Sequence, residues 1–367
     1  MFPRMDAKMS RSESTSDTAT VLVVDDSVFM RRMITDMIDG FPGFRVVGSA
    51  ADGEAALRAI AEHNPDVVTL DIEMPRLDGF GVLERVMADR PRAFVVLSAY
   101  TGEGSGSALR ALELGAVDVV AKPSGPVSFD VAKVEAQLYE SLRAARVADL
   151  GALLRERSGT PVGVAAVEKE AAVVIAASTG GPRALSHILG ALPPNLGATV
   201  LVVQHMPSGF TSALAARLDS IARLPVTEAT GGDIVASNRV FIAPGDFHMR
   251  VRRVDNDVRI ALDQKELVNG TRPAADALFP TVVEAYGERC VGVVLTGMGR
   301  DGAAGLASVR AAGGRTLVQD ESSSVVYGMP GRAVEVGAAE QVLPLEDIPG
   351  AIVECLNSLA APAEGKT

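Results

Sequence analysis

From Thr20 onward, short runs of β-branched and aliphatic residues recur along the chain and alternate with amphipathic stretches. Residues 21–24, 45–48, 67–70, 94–97 and 117–120 form such runs, each the length of a strand rather than of a helix. Five strands separated by helices predict a doubly wound parallel sheet, because parallel neighbours need a crossover and helices supply it. After Pro126 the period becomes helical, with Val131, Val134, Leu138, Leu142 and Val147 or Leu150 on one face. Residues 155–170 mix charge with Gly159, Pro161 and Gly163 and hold no clear period, which marks a flexible boundary. A second alternating series follows, with central strands expected at 173–177, 199–203, 240–243 and 291–295. The runs 251–254 and 258–262, joined by Asp255-Asn256-Asp257, predict an antiparallel hairpin at the edge of this second, otherwise parallel sheet. The expected organisation is a disordered leader over 1–18, a first α/β unit over 19–142, a linker over 143–170, a second doubly wound α/β unit over 171–360 and a flexible tail over 361–367.

In parallel sheets, functional side chains collect beyond the carboxyl ends of the strands. In the first unit those ends carry Asp25-Asp26, Asp71, Ser98 and Lys122-Pro123. Carboxylates converging on one edge need a hard divalent cation or the lysine to neutralise them. Mg²⁺ with Lys122 would also stabilise a phosphoryl group on a carboxylate oxygen, and Ser98 can hydrogen-bond that group. The plainer reading is a set of solvated loop acids.

The second unit opens with Val173-Val174-Ile175-Ala176-Ala177-Ser178-Thr179-Gly180-Gly181-Pro182, a buried strand that stops at a serine. Two glycines permit a tight turn, and Pro182 suits the first position of a helix expected over 182–191. Such a corner presents a hydroxyl beside backbone N–H groups, as a nucleophile requires. It also fits a phosphate- or nucleotide-cradling turn or a helix-capping serine, and the G-x-S-x-G elbow is only partly matched because Ala176 replaces its first glycine. Of the 4 histidines, His205 is delivered by strand 199–203 to the same sheet edge and is the candidate general base. His63 reads as a surface residue and His187 as a packed or solvated helix residue, while His248 opens the hairpin beside a loop that borders the site and is a candidate for substrate contact. Asp301, after strand 291–295, is placed to orient the imidazole, or to cap the helix expected from Gly302, or both. Backbone N–H groups of Thr179 or Met298 are candidate oxyanion donors.

The 367 residues, 47% hydrophobic and 22% charged, are enough for two cores. A net charge of −11 disfavours nucleic acid or an anionic membrane as the main ligand. Cys290 and Cys355 read as two buried thiols in a reducing compartment rather than a disulfide framework or a zinc site. No apolar run reaches about 18 residues and the polar N-terminus has no signal-peptide core, so a cytoplasmic chain without direct membrane insertion is expected.

Two resemblances gather these residues. The first unit, with Asp71-Ile72-Glu73-Met74-Pro75 and Asp78-Gly79, closely resembles the response-regulator receiver domain. That likeness implies Asp71 as phosphoacceptor, Asp25, Asp26 and Asp71 around Mg²⁺, and Ser98 and Lys122 as the groups that read out phosphorylation. It departs at Val119, where many receivers carry an aromatic switch residue three positions before the lysine. Residues 171 to about 357 resemble the catalytic domain of the chemotaxis protein-glutamate methylesterase family, CheB. The matching stretches are Ala177-Ser178-Thr179-Gly180-Gly181-Pro182, Gln204-His205-Met206, Ala243-Pro244-Gly245 with His248-Met249, Leu295-Thr296-Gly297-Met298-Gly299 with Asp301-Gly302, and Gln319-Asp320-Glu321 with Gly328-Met329-Pro330.

This resemblance implies Ser178 as nucleophile, His205 as base, Asp301 as orienting acid, and Thr179 and Met298 near the reacting carbonyl. The implied substrates are glutamate methyl esters on the cytoplasmic helices of methylated chemoreceptors, with deamidation of certain glutamines as a further activity, and no cofactor for ester hydrolysis. A chemotaxis histidine kinase is the implied phosphodonor. Two other classes stay open: a response regulator with a DNA-binding output, disfavoured by charge and by the size of the second unit, and a phosphorylation-gated binding protein without catalysis. The same chemistry in a chemosensory pathway that does not control motility also stays open.

Overall fold

The computed structural model describes residues 18–98, 102–122, 131–154 and 170–360, so the leader, most of the linker and the tail lie outside the described residues. The first unit runs β1 (Ala19–Val24), α1 (Val28–Asp39), β2 (Phe44–Ala50), α2 (Gly53–His63), β3 (Val67–Asp71), α3 (Gly79–Asp89), β4 (Ala93–Ser98), α4 (Gly102–Glu113), β5 (Asp118–Ala121) and α5 (Val131–Val147), followed by the short α6 (Leu150–Leu154). Its strands form a 5-stranded parallel sheet in the order β2-β1-β3-β4-β5, as the alternation of runs predicts. Helices start where polar caps permit: Ser27, Asp52 and Asp78 each accept a first-turn N–H with the side chain. Val134, Leu138 and Leu142 on α5 are buried as the helical period requires, whereas Val147 is 59% exposed. The helix nevertheless continues to Val147, past the boundary expected at 142.

The second unit runs β6 (Ala171–Ala177), α7 (Gly181–Ala191), β7 (Ala198–Gln204), α8 (Phe210–Ile221), β8 (Val226–Glu228), β9 (Val240–Ile242), β10 (His248–Val254), β11 (Asp257–Asp263), α9 (Ala275–Tyr286), β12 (Cys290–Val294), α10 (Ala303–Ala311), β13 (Arg315–Gln319), α11 (Met329–Glu335), β14 (Gln341–Leu343) and α12 (Ile348–Ala360). Its main sheet has 7 parallel strands in the order β14-β13-β12-β6-β7-β9-β8. Strand β6 lies in the middle and every one of its residues is buried, which matches its uninterrupted apolar run. The chain reverses winding direction between β6 and β7 on one side and β12 on the other, so the carboxyl end of β6 lies at a topological switch point. Register then fixes the neighbours: Ala177 pairs with Gln204, and Val294 with Ala176.

The hairpin β10-β11 is present, but it forms a 2-stranded sheet of its own rather than extending the edge of the large sheet. It packs on α9, where Arg250 donates to the Ala277 carbonyl and the Thr281 hydroxyl accepts from Val251 N–H. Three strands were not anticipated from the apolar runs, namely β8, β13 and β14, of which β8 and β14 have only 3 residues each.

The two units touch. Helix α4 lies against α7 and α8, with Glu113 Oε1 2.5 Å from Arg217 Nε. Val325 and Val326 of the second unit join a buried cluster with Val117, Leu142 and Leu153 of the first, and Met298 packs against that cluster. Asp149 N–H donates to the Val325 carbonyl at 2.9 Å. No helix among the described residues is long and apolar enough to cross a membrane.

Candidate active site

In the first unit, Lys122 extends beyond β5 to stand 2.8 Å from Asp25 Oδ2 and 2.6 Å from Asp71 Oδ2. Burial opposes its charge, but the two carboxylates outweigh that and hold the ammonium above its usual range. Burial pushes the Asp71 carboxyl up, against the pull of Lys122. Ser98 is buried at the end of β4, and its carbonyl accepts Lys122 N–H at 2.8 Å. Carboxylate oxygens of Asp25, Asp26 and Asp71 lie within 4.8 Å of one another, two of these residues being buried and Asp26 exposed. That set of hard oxygen donors, open on one side, fits Mg²⁺. Val119 is a small buried side chain on β5.

The second constellation stands at the carboxyl ends of β6, β7 and β12. Ser178 directly follows β6, and its N–H donates to the Thr296 carbonyl at 3.0 Å while its carbonyl accepts Gly181 N–H at 2.7 Å. This closes the turn through Gly180, whose φ of 79° is left-handed, and starts α7 at Gly181, one residue before the expected Pro182. Gln204, the last residue of β7, is 2% exposed and donates through Nε2 to the carbonyls of both Ser178 and His205 at 3.0 Å. One buried amide therefore ties the serine segment to the histidine segment. A further backbone bond, His205 N–H to the Ala177 carbonyl at 3.0 Å, sets the same spacing.

His205 Nε2 lies 2.8 Å from Asp301 Oδ2, leaving Nδ1 as the other ring nitrogen. The carboxylate also accepts Ala275 N–H at 2.6 Å, Asp276 N–H at 3.1 Å and Asn269 Nδ2 at 3.0 Å. Burial works against this carboxylate, yet the His205 contact and the backbone donors outweigh it and hold Asp301 below the usual range. Asp301 caps a helix, but a different one from that expected. Helix α10 starts after Gly302 without any side-chain cap, and the two N–H groups on Asp301 belong to the first turn of α9, whose own N-cap is the incompetent Ala274.

Thr179 is buried, and its carbonyl accepts the Thr296 hydroxyl at 2.9 Å, which links the serine turn to the loop bearing Met298. The Thr271 hydroxyl stands 3.4 Å from His205 Nε2. His248 is not on the open rim. It is fully buried, and its Nε2 meets the Glu266 carbonyl at 2.9 Å beneath the loop that carries Thr271, because the hairpin starts inside the fold. His63 is exposed, and His187 is buried in α7. Gln204, Asn269, Thr271 and Asp276 received no individual role from the sequence. Asn269-Gly270 signals a turn and Asp276 a helix start, but neither signal carries a chemical meaning by itself.

An acidic pocket with a lysine in one unit, and Ser178 and the His205–Asp301 pair at one rim of the other, are the arrangement of a response regulator with a hydrolase output domain. The chain belongs to the CheB methylesterase family. Residues 173–352 match the family described as CheB methylesterase, and residues 21–131 match the response regulator receiver domain. A protein-glutamate methylesterase/protein-glutamine glutaminase of Symbiobacterium thermophilum is 47% identical, with 92% of this chain and 97% of the relative covered. One of the same description from Pyrococcus abyssi is 42% identical, covering 92% of this chain and 94% of the relative. The crystal structure of the Thermotoga maritima CheB methylesterase catalytic domain is 44% identical, with a TM-score of 0.50 over 51% of this chain and 98% of that domain.

Proposed function

We propose that this chain is a phosphorylation-regulated serine hydrolase that demethylates glutamate methyl esters on chemoreceptor cytoplasmic helices, and deamidates selected glutamines there, with Ser178, His205 and Asp301 as its catalytic triad. The observation that carries the assignment is the 2.8 Å pairing of His205 Nε2 with a carboxylate saturated by helix N–H groups. That pairing fixes the tautomer and leaves Nδ1 to take the proton of Ser178, one residue beyond the partner strand's end. Ser178 attacks the ester carbonyl while N–H groups of Thr179 and Met298 stabilise the oxyanion. Imidazolium then protonates the methoxide oxygen as the C–O bond breaks, releasing methanol, and water repeats the cycle on the acyl-enzyme. The amide follows the same path with a poorer leaving group, so deamidation is the slower reaction. Hydrolysis uses no metal in this scheme.

Regulation follows from the receiver. Asp25, Asp26 and Asp71 would hold Mg²⁺, which supplies charge neutralisation at the phosphoryl group, and Asp71 accepts that group from a chemotaxis histidine kinase. Ser98 and Lys122 sense the phosphoryl oxygens. Phosphorylation brings about −1.5 to −2 charge to the pocket in place of one carboxylate. In the unphosphorylated chain, receiver residues pack beside Met298, and the His205 side chain is only 12% exposed, which supports occlusion of the rim. The test is to incubate the protein with methylated receptor, with and without a small phosphodonor, and to follow methanol. Ser178→Ala and His205→Ala should each lower the rate by about 10³-fold or more. Near-normal methanol release by either variant removes that residue from the mechanism.

A further inference from the structure

The Asp301 carboxylate does not stand alone. Asp276, in the first turn of α9, lies beside it and accepts Gly305 N–H of α10 at 2.7 Å through Oδ1. The first turns of the two helices thus draw on neighbouring carboxylates: Asp301, in the loop before α10, serves α9, and Asp276 of α9 serves α10. Burial, together with nearby Asp301, pushes the Asp276 carboxyl above its usual range. Two acids held this close repel unless a donor stands between them.

Asn269 is that donor. Its Nδ2 lies 2.7 Å from Asp276 Oδ2 and 3.0 Å from Asp301 Oδ1. Its Oδ1 accepts Arg300 Nε at 3.1 Å, which fixes which end of the amide faces the acids. The backbone at Asn269 is left-handed, with φ of 53°, a conformation that asparagine tolerates better than most residues and that aims the amide inward. The groups that meet here come from three elements: Asn269 from the loop after β11, Asp276 from α9, and Arg300 and Asp301 from the loop after β12, with His205 on the far side of Asp301.

We infer that Asn269 is a positioning residue of the triad: it bridges Asp301 to Asp276, holds the orienting carboxylate in line with His205 and limits the negative charge that the imidazole meets. This inference rests on the serine-hydrolase reading above. Two variants preserve the left-handed backbone while changing the bridge. Asn269→Gly removes the amide, and Asn269→Asp replaces the donor with a third carboxylate. Both changes lie on an exposed loop residue, so the core is untouched.

The experiment measures methanol release by the full chain across pH for wild type, both variants and Ser178→Ala. Asn269→Gly should lower kcat by about 10-fold with little change in KM, because Asp301 loses its side-chain donor and faces Asp276 unbridged, although the two α9 N–H groups remain on it. Asn269→Asp should lower kcat and also move the acidic limb of the profile upward by about half a pH unit or more, because added negative charge favours the imidazolium. If both variants keep the wild-type kcat and acidic limb, the inference is overturned. Loss of activity with an unmoved acidic limb in Asn269→Asp reduces the residue to a loop support and overturns it equally. Activity retained by Ser178→Ala would instead overturn the hydrolase reading itself.

Discussion

Lys133 Nζ on α5 of the receiver stands 3.0 Å from Asp246 Oδ1, in the loop between β9 and β10 of the hydrolase domain. The same carboxylate oxygen lies 3.0 Å from Arg272 NH2, on the loop that carries Thr271 to His205. The pair therefore spans the two domains at the edge of the proposed catalytic rim. It is partly exposed, so its contribution is small, about 0 to 1 kcal/mol. A charge reversal does more than delete it, because two carboxylates then face each other across the contact. Lys133→Glu should raise basal methanol release severalfold in the unphosphorylated protein, since about 1 kcal/mol moves a closed-to-open ratio roughly fivefold. The same assay on Lys133→Arg should stay close to wild type, because a cation still faces Asp246 while Arg272 keeps its own contact with that carboxylate. An unchanged basal rate in the single variant would mean that this contact does not hold the domains closed.

Gly297 lies between the serine turn and helix α11. A Cβ placed there would sit 2.6 Å from Ser178 Cβ and 2.5 Å from Met329 Sδ, too close for either to stay where it is. Met329 is fully buried, so it has little room to yield, and the serine must move. Gly297→Ala is expected to cost about 1–3 kcal/mol of stability, as overpacking typically does, and to lower kcat by about 10²-fold through displacement of Ser178. Thermal denaturation and methanol release measured on the same preparation check the two effects separately. A folded variant with wild-type kcat would show that the Gly297 loop itself shifts and leaves Ser178 in place.

The site was legible where chemistry follows a strand. Ser178, His205 and Asp301 come after β6, β7 and β12, each a run of at least 5 buried residues, and strand alternation alone brings such runs to one rim. Asp25, Asp71 and Lys122 were readable for the same reason. Short elements were not: β8 and β14 have 3 residues each, too few to show a period, and β13 has only Leu317 and Val318 as aliphatic residues. Contacts made by polar loops were also hidden. Asp301 does cap a helix, but its partner N–H groups lie about 25 residues earlier, at Ala275 and Asp276, and no local signal connects them. His248 looked like a rim residue because a loop precedes it, yet the hairpin carries it beneath Glu266.

Asp301, the proposed orienting acid, also contributes to stability. Its pKa in the folded protein lies below that of an ordinary aspartate, about 3.9 in an unfolded chain. The unfolded state therefore binds the proton first as pH falls. The resulting stability is fully present above about pH 4 to 5 and is lost as pH drops through the lower, folded value. Asp301→Asn should be less stable than wild type near neutrality and should lose less stability on acidification, because the shifted carboxyl is gone. Denaturation midpoints from neutrality down to acid, compared between the two proteins, give the slopes. Parallel curves would exclude Asp301 as a contributor to the acid dependence.

Asp71 is the residue on which the regulatory reading turns. Its Oδ2 lies 2.6 Å from Lys122, and its oxygens share an acidic cluster with Asp25 and Asp26 that suits Mg²⁺. Asp71→Asn keeps the shape of the side chain but removes the proposed phosphoacceptor oxygen anion, and it lies in a different sheet from Ser178. Basal methanol release should stay within about twofold of wild type, as expected for a change outside the reacting groups. The increase produced by a small phosphodonor with Mg²⁺ should disappear. Chelation of Mg²⁺ in wild type should remove the same increase without touching basal hydrolysis, because the proposed ester chemistry uses only Ser178, His205, Asp301 and backbone donors. Val119 gives the response its own signature. With a small aliphatic side chain buried on β5, no aromatic ring at that position can turn inward on phosphorylation, and the proposed readout rests on Ser98 and Lys122, which are joined by a backbone hydrogen bond. Lys122→Ala should accordingly still accept phosphoryl from the donor, measurable by incorporated label, yet show little of the rise in methanol release. Full activation of Lys122→Ala would separate the lysine from signal transmission.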